Sequence, residues 1–381
     1  MHEDRGLGRR MQLVQGLHWL YGANGDPYAQ LLRGFDDDVR PIHSALRERG
    51  ALWTAKTGTR VSARHADASE VLSHTGFGLR RVAEQPAVQR VLPWDEDIVD
   101  IDAASIGRLQ DPAEAGAMLE TVSRAYQKAL NGLGPDTDLV AKVAEPVPVE
   151  VLAELYGLTS GERARLSAAC ADTAIALDGL LCPQKLEPAR RMINALGDLR
   201  TLFSDRPEGL VHAVVGVRIS ADLLSSAVAA LLADPEQWTA LVADPDRAAA
   251  VVTETLRHNP PVQVCTGIAQ RDLRVSEVDV PAGSQVAVVL GAANRDPEVF
   301  ADPDRFSPDR SGPRQGGDPA GLVLTPTAPA AWVLPLARRH AEAGLRALAA
   351  AFPRLSVAGP ALRRPRAPMT RGLLRLPVHT G

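Results

Sequence analysis

The run GLVHAVVGVRISADLLSSAVAALLA, residues 209–233, constrains this chain more than any other segment. Apolar residues fall on nearly every side of the helix it would form, and such a helix must be surrounded by other chain or by lipid. His212, Arg218 and Asp222 interrupt it too early for a membrane span, where ionisable groups are costly. The run therefore predicts a long helix through the middle of a large helical domain. With 381 residues the chain is long enough to surround it. Aromatics make up only 4% of residues against 45% hydrophobic, so aliphatic side chains must fill most of that core.

Other elements follow from periodicity and breakers. Leu7, Met11, Val14, Leu17 and Tyr21 are spaced for a helix over 7–22. Asn24-Gly25 and Asp26-Pro27 should stop it near Tyr21. GTRVSARHADASEVL reads as a hairpin arm followed by a helix capped near Asp67 or Ser69. Helices should dominate to about residue 205, with Pro146-Val147-Pro148 and Cys182-Pro183 outside helix interiors. Residues 235–258 predict one helix with Pro235 at its first position. Val275 to Leu290 alternates around Pro281-Ala282-Gly283 and predicts a small antiparallel hairpin. A last long helix is expected over 335–352. The fold class read from the residues is mainly α with a minor β-sheet.

Several function classes are disfavoured. A net charge of −4 gives no reason to expect nucleic acid or an anionic membrane as partner. Cys170, Cys182 and Cys265 are scattered without metal-ligand or disulfide spacing. His212 and His340 find no second ligand at suitable spacing and read as ordinary helix residues. The start, MHEDRGLGRRMQ, has no apolar run and is not a secretory signal, so a cytoplasmic protein is expected.

Glu254 and Arg257 share a helix face in ETLR, a common pairing that by itself says little. Downstream, AANRDPEVF over 292–300 leads into DPDRF over 302–306. Together these closely resemble bacterial cytochrome P-450 proteins. The resemblance runs from about Asp36 to the C-terminus, including RGLLRLPV. It divides the chain into an N-terminal helical segment, 1–35, and a cytochrome P-450-like domain, 36–381. It implies a buried ion network of Glu254, Arg257 and Arg305.

The same resemblance exposes losses. Haem iron in that family takes a thiolate from a Gly-rich loop just before a long C-terminal helix. Leu336-Ala337-Arg338 matches the first turns of that helix, which puts Ala331 at the cysteine position. The loop's two glycines fall on Thr325 and Thr327, and its propionate-binding His on Pro329. No Cys follows Cys265. In the central helix Gly216 matches, but Arg218 replaces the family's acid and Ile219 its Thr; Ser220 alone keeps a hydroxyl. At Asp111-Pro112-Ala113-Glu114, Ala115 and Leu119 stand where the family has further propionate contacts. The resemblance thus implies no cofactor, no metal and no catalytic residue. Arg218 then either pairs with a local carboxylate or binds an anion in the vacated space. Cys265 reads as a small buried hydrophobe.

A narrower resemblance attaches to the opening, LGRRMQLVQGLHWLYGANGDPY followed by FDDD. It is similar to the haem-less cytochrome P-450-like auxiliary proteins of antibiotic deoxysugar glycosyltransferases, such as the activator of the erythromycin desosaminyltransferase. This implies a non-catalytic activator and stabiliser of a glycosyltransferase that moves a TDP-deoxysugar onto a polyketide aglycone. It further suggests a heterotetramer of two activators around a transferase dimer. Leu13, Leu17, Trp19, Leu20 and Tyr21 could meet that partner or simply cover the chain's own core. A TDP-4-keto-6-deoxyhexose 3,4-isomerase and a haem protein with an unusual ligand are the alternatives. The first would need a general base beside a sugar-nucleotide site, and no phosphate-cradling glycine loop is present.

Overall fold

The computed structural model describes residues 2–35, 38–78, 92, 94, 112–310, 312–314, 318–324 and 329–381. Twelve helices of six or more residues lie among them: α1 (His2–Ala23), α2 (Pro27–Leu32), α3 (Arg40–Glu48), α4 (His65–Ser73), α5 (Pro112–Leu130), α6 (Pro146–Leu155), α7 (Ser160–Thr173), α8 (Leu186–Leu202), α9 (Val217–Leu232), α10 (Pro235–Ala243), α11 (Ala248–His258) and α12 (Pro329–Ala351). The fold is mainly α with small sheets, as expected.

The central helix is where the sequence places it. A short stretch, Glu208–Val211, passes through one widened turn, His212–Gly216, into α9, so the rod runs from Glu208 to Leu232. Within its most apolar part, 89% of residues are buried inside the protein, which makes it a core helix. Its most extensive neighbour is α12, with α11 beside it. A Cβ at Gly344 of α12 would lie 2.9 Å from Leu224 of α9 and 3.1 Å from Tyr126 of α5, so only glycine lets these three helices approach so closely.

Strands β1 (Trp53–Thr54), β2 (Arg60–Ser62), β3 (Phe77–Gly78), β5 (Val264–Ala269) and β8 (Gln285–Val289) form one sheet in the order β1-β2-β8-β5-β3, with β2 and β8 parallel. All five residues of β8 are buried. Smaller sheets come from β6 (Leu273–Val275) with β7 (Val278–Val280), from β10 (Leu362–Arg363) with β11 (Leu373–Arg375), and from β4 (Asp136–Asp138), β12 (Pro377–His379) and β9 (Ser356–Val357).

Four expectations need correction. The single helix over 235–258 is two, because Asp244 precedes Pro245 and adopts φ −138°, ψ 90°; the proline ring disfavours a helical residue before it. The hairpin turns at Ser276 and Glu277, both at positive φ, instead of at Pro281-Ala282-Gly283. Glu70 holds that turn by accepting hydrogen bonds from the Ser276 backbone and hydroxyl, each at 2.9 Å. Helix α4 starts at His65, leaving Asp67 in its first turn and Ser69 in its interior instead of at the cap. Helix α12 starts at Pro329 and runs through Pro335, six residues ahead of expectation. From residues 1–35, Met11, Val14, Leu31 and Leu32 join the same core as the central helix.

The ion network clamps α11 to the loop after it. Arg257 is wholly buried and donates to both carboxylate oxygens of Glu254 at 2.8 Å. Its other nitrogen donates to the carbonyls of Asn294 and Pro303, each at 2.9 Å. Arg305 enters differently from expectation. The turn closed by its N–H on the Asp302 carbonyl points its own carbonyl at Arg257, while its side chain faces solvent. Arg310 supplies the second guanidinium, 3.4 Å from Glu254.

Removing one side of a buried pair leaves an uncompensated charge. Arg257→Ala should therefore cost about 3–5 kcal/mol in urea unfolding, and Arg305→Ala under about 0.5 kcal/mol. Equal losses would contradict this assignment. The core also predicts a pH dependence. Burial lowers the pKa of His43 and His340 to about 3 and of His212 to about 4. The unfolded chain, with histidines near 6.5, takes up these protons first. The stability these histidines contribute is thus complete above about pH 6.5 and lost below it, at about 1.4 kcal/mol per histidine per pH unit. Asp178, pushed up to about 6 by burial, opposes this over the same range. His340→Gln should shrink the fall in stability between pH 7.5 and 5.5 by about 1.4 kcal/mol; an unchanged fall would show that His340 is not buried neutral.

Candidate functional site

The position that would offer sulfur to iron lies in the first turn of α12. Pro329 is the first described residue of this helix. Ala331 follows, with only a methyl group. Val333, one turn into the helix, is fully buried, and a Cβ on Gly216 would sit 3.5 Å from its side chain. A methyl group added to Gly216 would thus just touch Val333, so the central helix and α12 approach closely at this level. Pro329, in the place of a propionate-binding His, has no donor to offer. Leu119 on α5 is 43% exposed and carries no charge. Thr325, Thr327 and Asp111 lie outside the described residues, as does the side chain of Ala115.

The three thiols do not compensate. Burial pushes Cys170 and Cys265 up to about 12 and raises Cys182 too, so all are protonated at neutral pH. Cys170 donates weakly to the Ala213 carbonyl at 3.6 Å, and Cys265 lies in β5. Among the described residues, no three His, Cys, Asp or Glu side chains gather as a metal site. The residues present therefore do not fit a haem.

Arg218 has been turned to structure. Its Nε donates to Asp222 at 2.8 Å and its Nη1 to Glu145 at 2.9 Å, while Arg364 also pairs with Glu145. Burial, the largest influence on Arg218, works against its charge, but the two carboxylates outweigh it and hold the pKa above the ordinary arginine value. The quartet is neutral overall. It borders a cavity of about 250 Å³ otherwise walled largely by small aliphatic groups, among them Ala213, Val217 and Ala221. Ile219 and Ser220, beside it, are buried. His212 and His340 hydrogen-bond with Tyr156 at 3.0 Å and Tyr126 at 3.5 Å, and burial keeps both neutral. These histidines hold helices together.

The N-terminal edge is different in kind. Leu13, Trp19 and Leu20 are 56%, 48% and 56% exposed. Leu17 and Tyr21 are half-buried, and Met11, Val14 and His18 face inward. The five expected contact residues therefore divide: at 100° per residue, 13 and 20 share one direction, whereas 17 and 21 turn toward the core. Phe35, which sequence reasoning passed over, joins the exposed set with its ring 6.2 Å from that of Trp19. Arg33 lies over the Trp19 ring at 4.5 Å. The only hint of Phe35 in the sequence is an aromatic residue directly before an acidic run.

Known proteins place this architecture. The cytochrome P450 family profile matches residues 248–322, which span the Glu254–Arg257 clamp and its loop. Protein DesVIII of Streptomyces venezuelae is 37% identical, over 99% of this chain and 94% of its own length. The cytochrome P450 family protein EryCII of Saccharopolyspora erythraea is 35% identical over 98% of each chain. The crystal structure of Mycobacterium smegmatis CYP164A2 with econazole bound superposes with a TM-score of 0.74 at 26% identity, covering 93% of this chain and 99% of the other. A clamp kept and a thiolate lost, in a chain alike over nearly its whole length to these relatives, make this protein a member of the cytochrome P450 family.

Proposed function

We propose that this chain is a non-catalytic activator and stabiliser of a partner glycosyltransferase that transfers a TDP-deoxysugar to a polyketide aglycone in antibiotic biosynthesis. The observation that carries the reading is a methyl group at position 331 where the family has its thiolate, on a scaffold whose structural clamp is intact. A fold that keeps its stability and lacks its cofactor ligand can act through its surface. The family resemblance of the opening segment, and full-length likeness to DesVIII and EryCII, point to the transferase as what that surface meets.

The physical mechanism is differential binding. A partner shifts a transferase toward its active form only by binding that form better than the inactive one. Moving an equilibrium from 1:99 to 99:1 takes about 5.5 kcal/mol of such preference. The same preference stabilises the transferase against unfolding by mass action. The exposed Leu13, Trp19 and Leu20 are the proposed anchors on α1, with Leu17 and Tyr21 supporting them from the core side. The assembly is a cytoplasmic heterotetramer in which two activators flank a transferase dimer.

Coexpression with the transferase should yield one co-eluting species in gel filtration and raise sugar transfer severalfold over transferase alone. Separate elution with unchanged transfer would overturn the reading. Ala331→Cys should not rebuild a haem protein, because Pro329 still has no donor to offer a propionate and Thr325 and Thr327 still stand in place of the loop's glycines. Titrating that variant with haemin should give no stoichiometric Soret band, and a full band would show that the ligand alone was missing.

A further inference from the structure

The exposed edge of α1 continues into a groove. Phe35 packs against Trp19 on one side, and on the other it forms a wall of a groove of about 350 Å³ with Ile175, Pro188, Pro365 and Leu374. Phe35 is 51% and Leu374 44% exposed, so two large apolar side chains stand open to solvent across it. The polar groups at its base are engaged within the chain. Asp178 accepts from the backbone N–H groups of Met369 and Thr370 at 2.8 and 3.0 Å and from the Thr370 hydroxyl at 2.8 Å. Gln184 donates to the carbonyls of Cys182 and Arg366. What remains accessible is apolar.

Cations stand along the ridge, at Arg33, and along the groove, at Lys185 and Arg366. Arg33 stacks on Trp19 and donates to the Trp19 carbonyl at 2.9 Å. Arg366 lies 5.7 Å over the Phe35 ring and donates to the Pro183 carbonyl at 2.7 Å. Lys185 is exposed at the start of α8. Among the described residues none of these three forms an ion pair, although the chain as a whole carries −4. Two of them are guanidiniums held on aromatic faces, a pre-organised arrangement suited to carboxylates.

We propose that this ridge and groove seat an amphipathic segment of the partner glycosyltransferase whose apolar face is flanked by Asp or Glu. This rests on the activator reading above and adds the receptor site and the chemistry of what fills it. A second copy of this chain fits poorly, because a two-fold contact would bring the three cations toward their own images. Apolar side chains in the groove supply the affinity, while the cations set orientation and approach rate.

The test uses the coexpressed complex. Leu374→Asp and Lys185→Glu should each weaken binding to the transferase roughly tenfold or more, while Leu119→Asp, an exposed apolar position outside the groove, should not. Reversing one acidic residue of the partner segment to Lys should restore binding to Lys185→Glu. Wild-type binding and activation by Leu374→Asp and Lys185→Glu, both folded by thermal melting, would overturn the groove and leave the activator reading standing. Failure of the wild type to bind would overturn both. Two further outcomes would also overturn the groove: a dimer of the isolated chain abolished by Leu374→Asp, or flotation with phosphatidylglycerol vesicles that this variant loses while its transferase complex persists.

Discussion

The packing of the central helix on α12, close where Gly216 faces Val333, is the interaction on which the rest of this molecule depends. It closes the seam between the central helix and α12, the most extensive helix pair in the fold. Interiors tolerate few voids, so a scaffold that gives up a large planar group must refill the space or pay in lost contacts. Here the refilling begins where iron chemistry would begin. Arg218, in the place of an acid, is held by Asp222 and Glu145.

The Glu254–Arg257 pair shows why such a chain still folds as its relatives do. It joins α11 to the loop carrying Arg305 and Arg310 through backbone carbonyls and a second guanidinium. Breaking it would strand a charge in the core, whereas losing a cofactor ligand strands nothing.

Much of this was legible in the residues themselves. The apolar run at 209–233 announced the central helix because no exposed helix can be apolar all round. Ala331 was found by counting back from Leu336-Ala337-Arg338, and the absence of any later Cys made the conclusion insensitive to alignment. Other features depend on contacts that a linear reading does not contain. Arg310 replaces Arg305 in the clamp because a turn at Asp302, with positive φ, reverses the side chain's direction. The break at Asp244 required weighing Pro245 against strong helical periodicity on both sides. Phe35 and the groove beside it join residues from four distant segments, 35, 175–188, 365 and 374, which no periodicity brings together. The early start of α12 was missed because Pro335 reads as a helix boundary, although near an N-terminus a proline interrupts few hydrogen bonds.

What remains for function is a rigid, cofactor-poor body with an apolar, cation-lined edge, and that combination is suited to altering another protein's equilibrium more than to turning over a substrate. The central claim, that no haem is held, is tested most directly by the visible absorption spectrum of the wild-type protein purified from cells supplied with haem precursor. The account predicts a colourless protein with absorbance only from its aromatic residues. A red protein carrying one porphyrin per chain, with an intense Soret band, would contradict it.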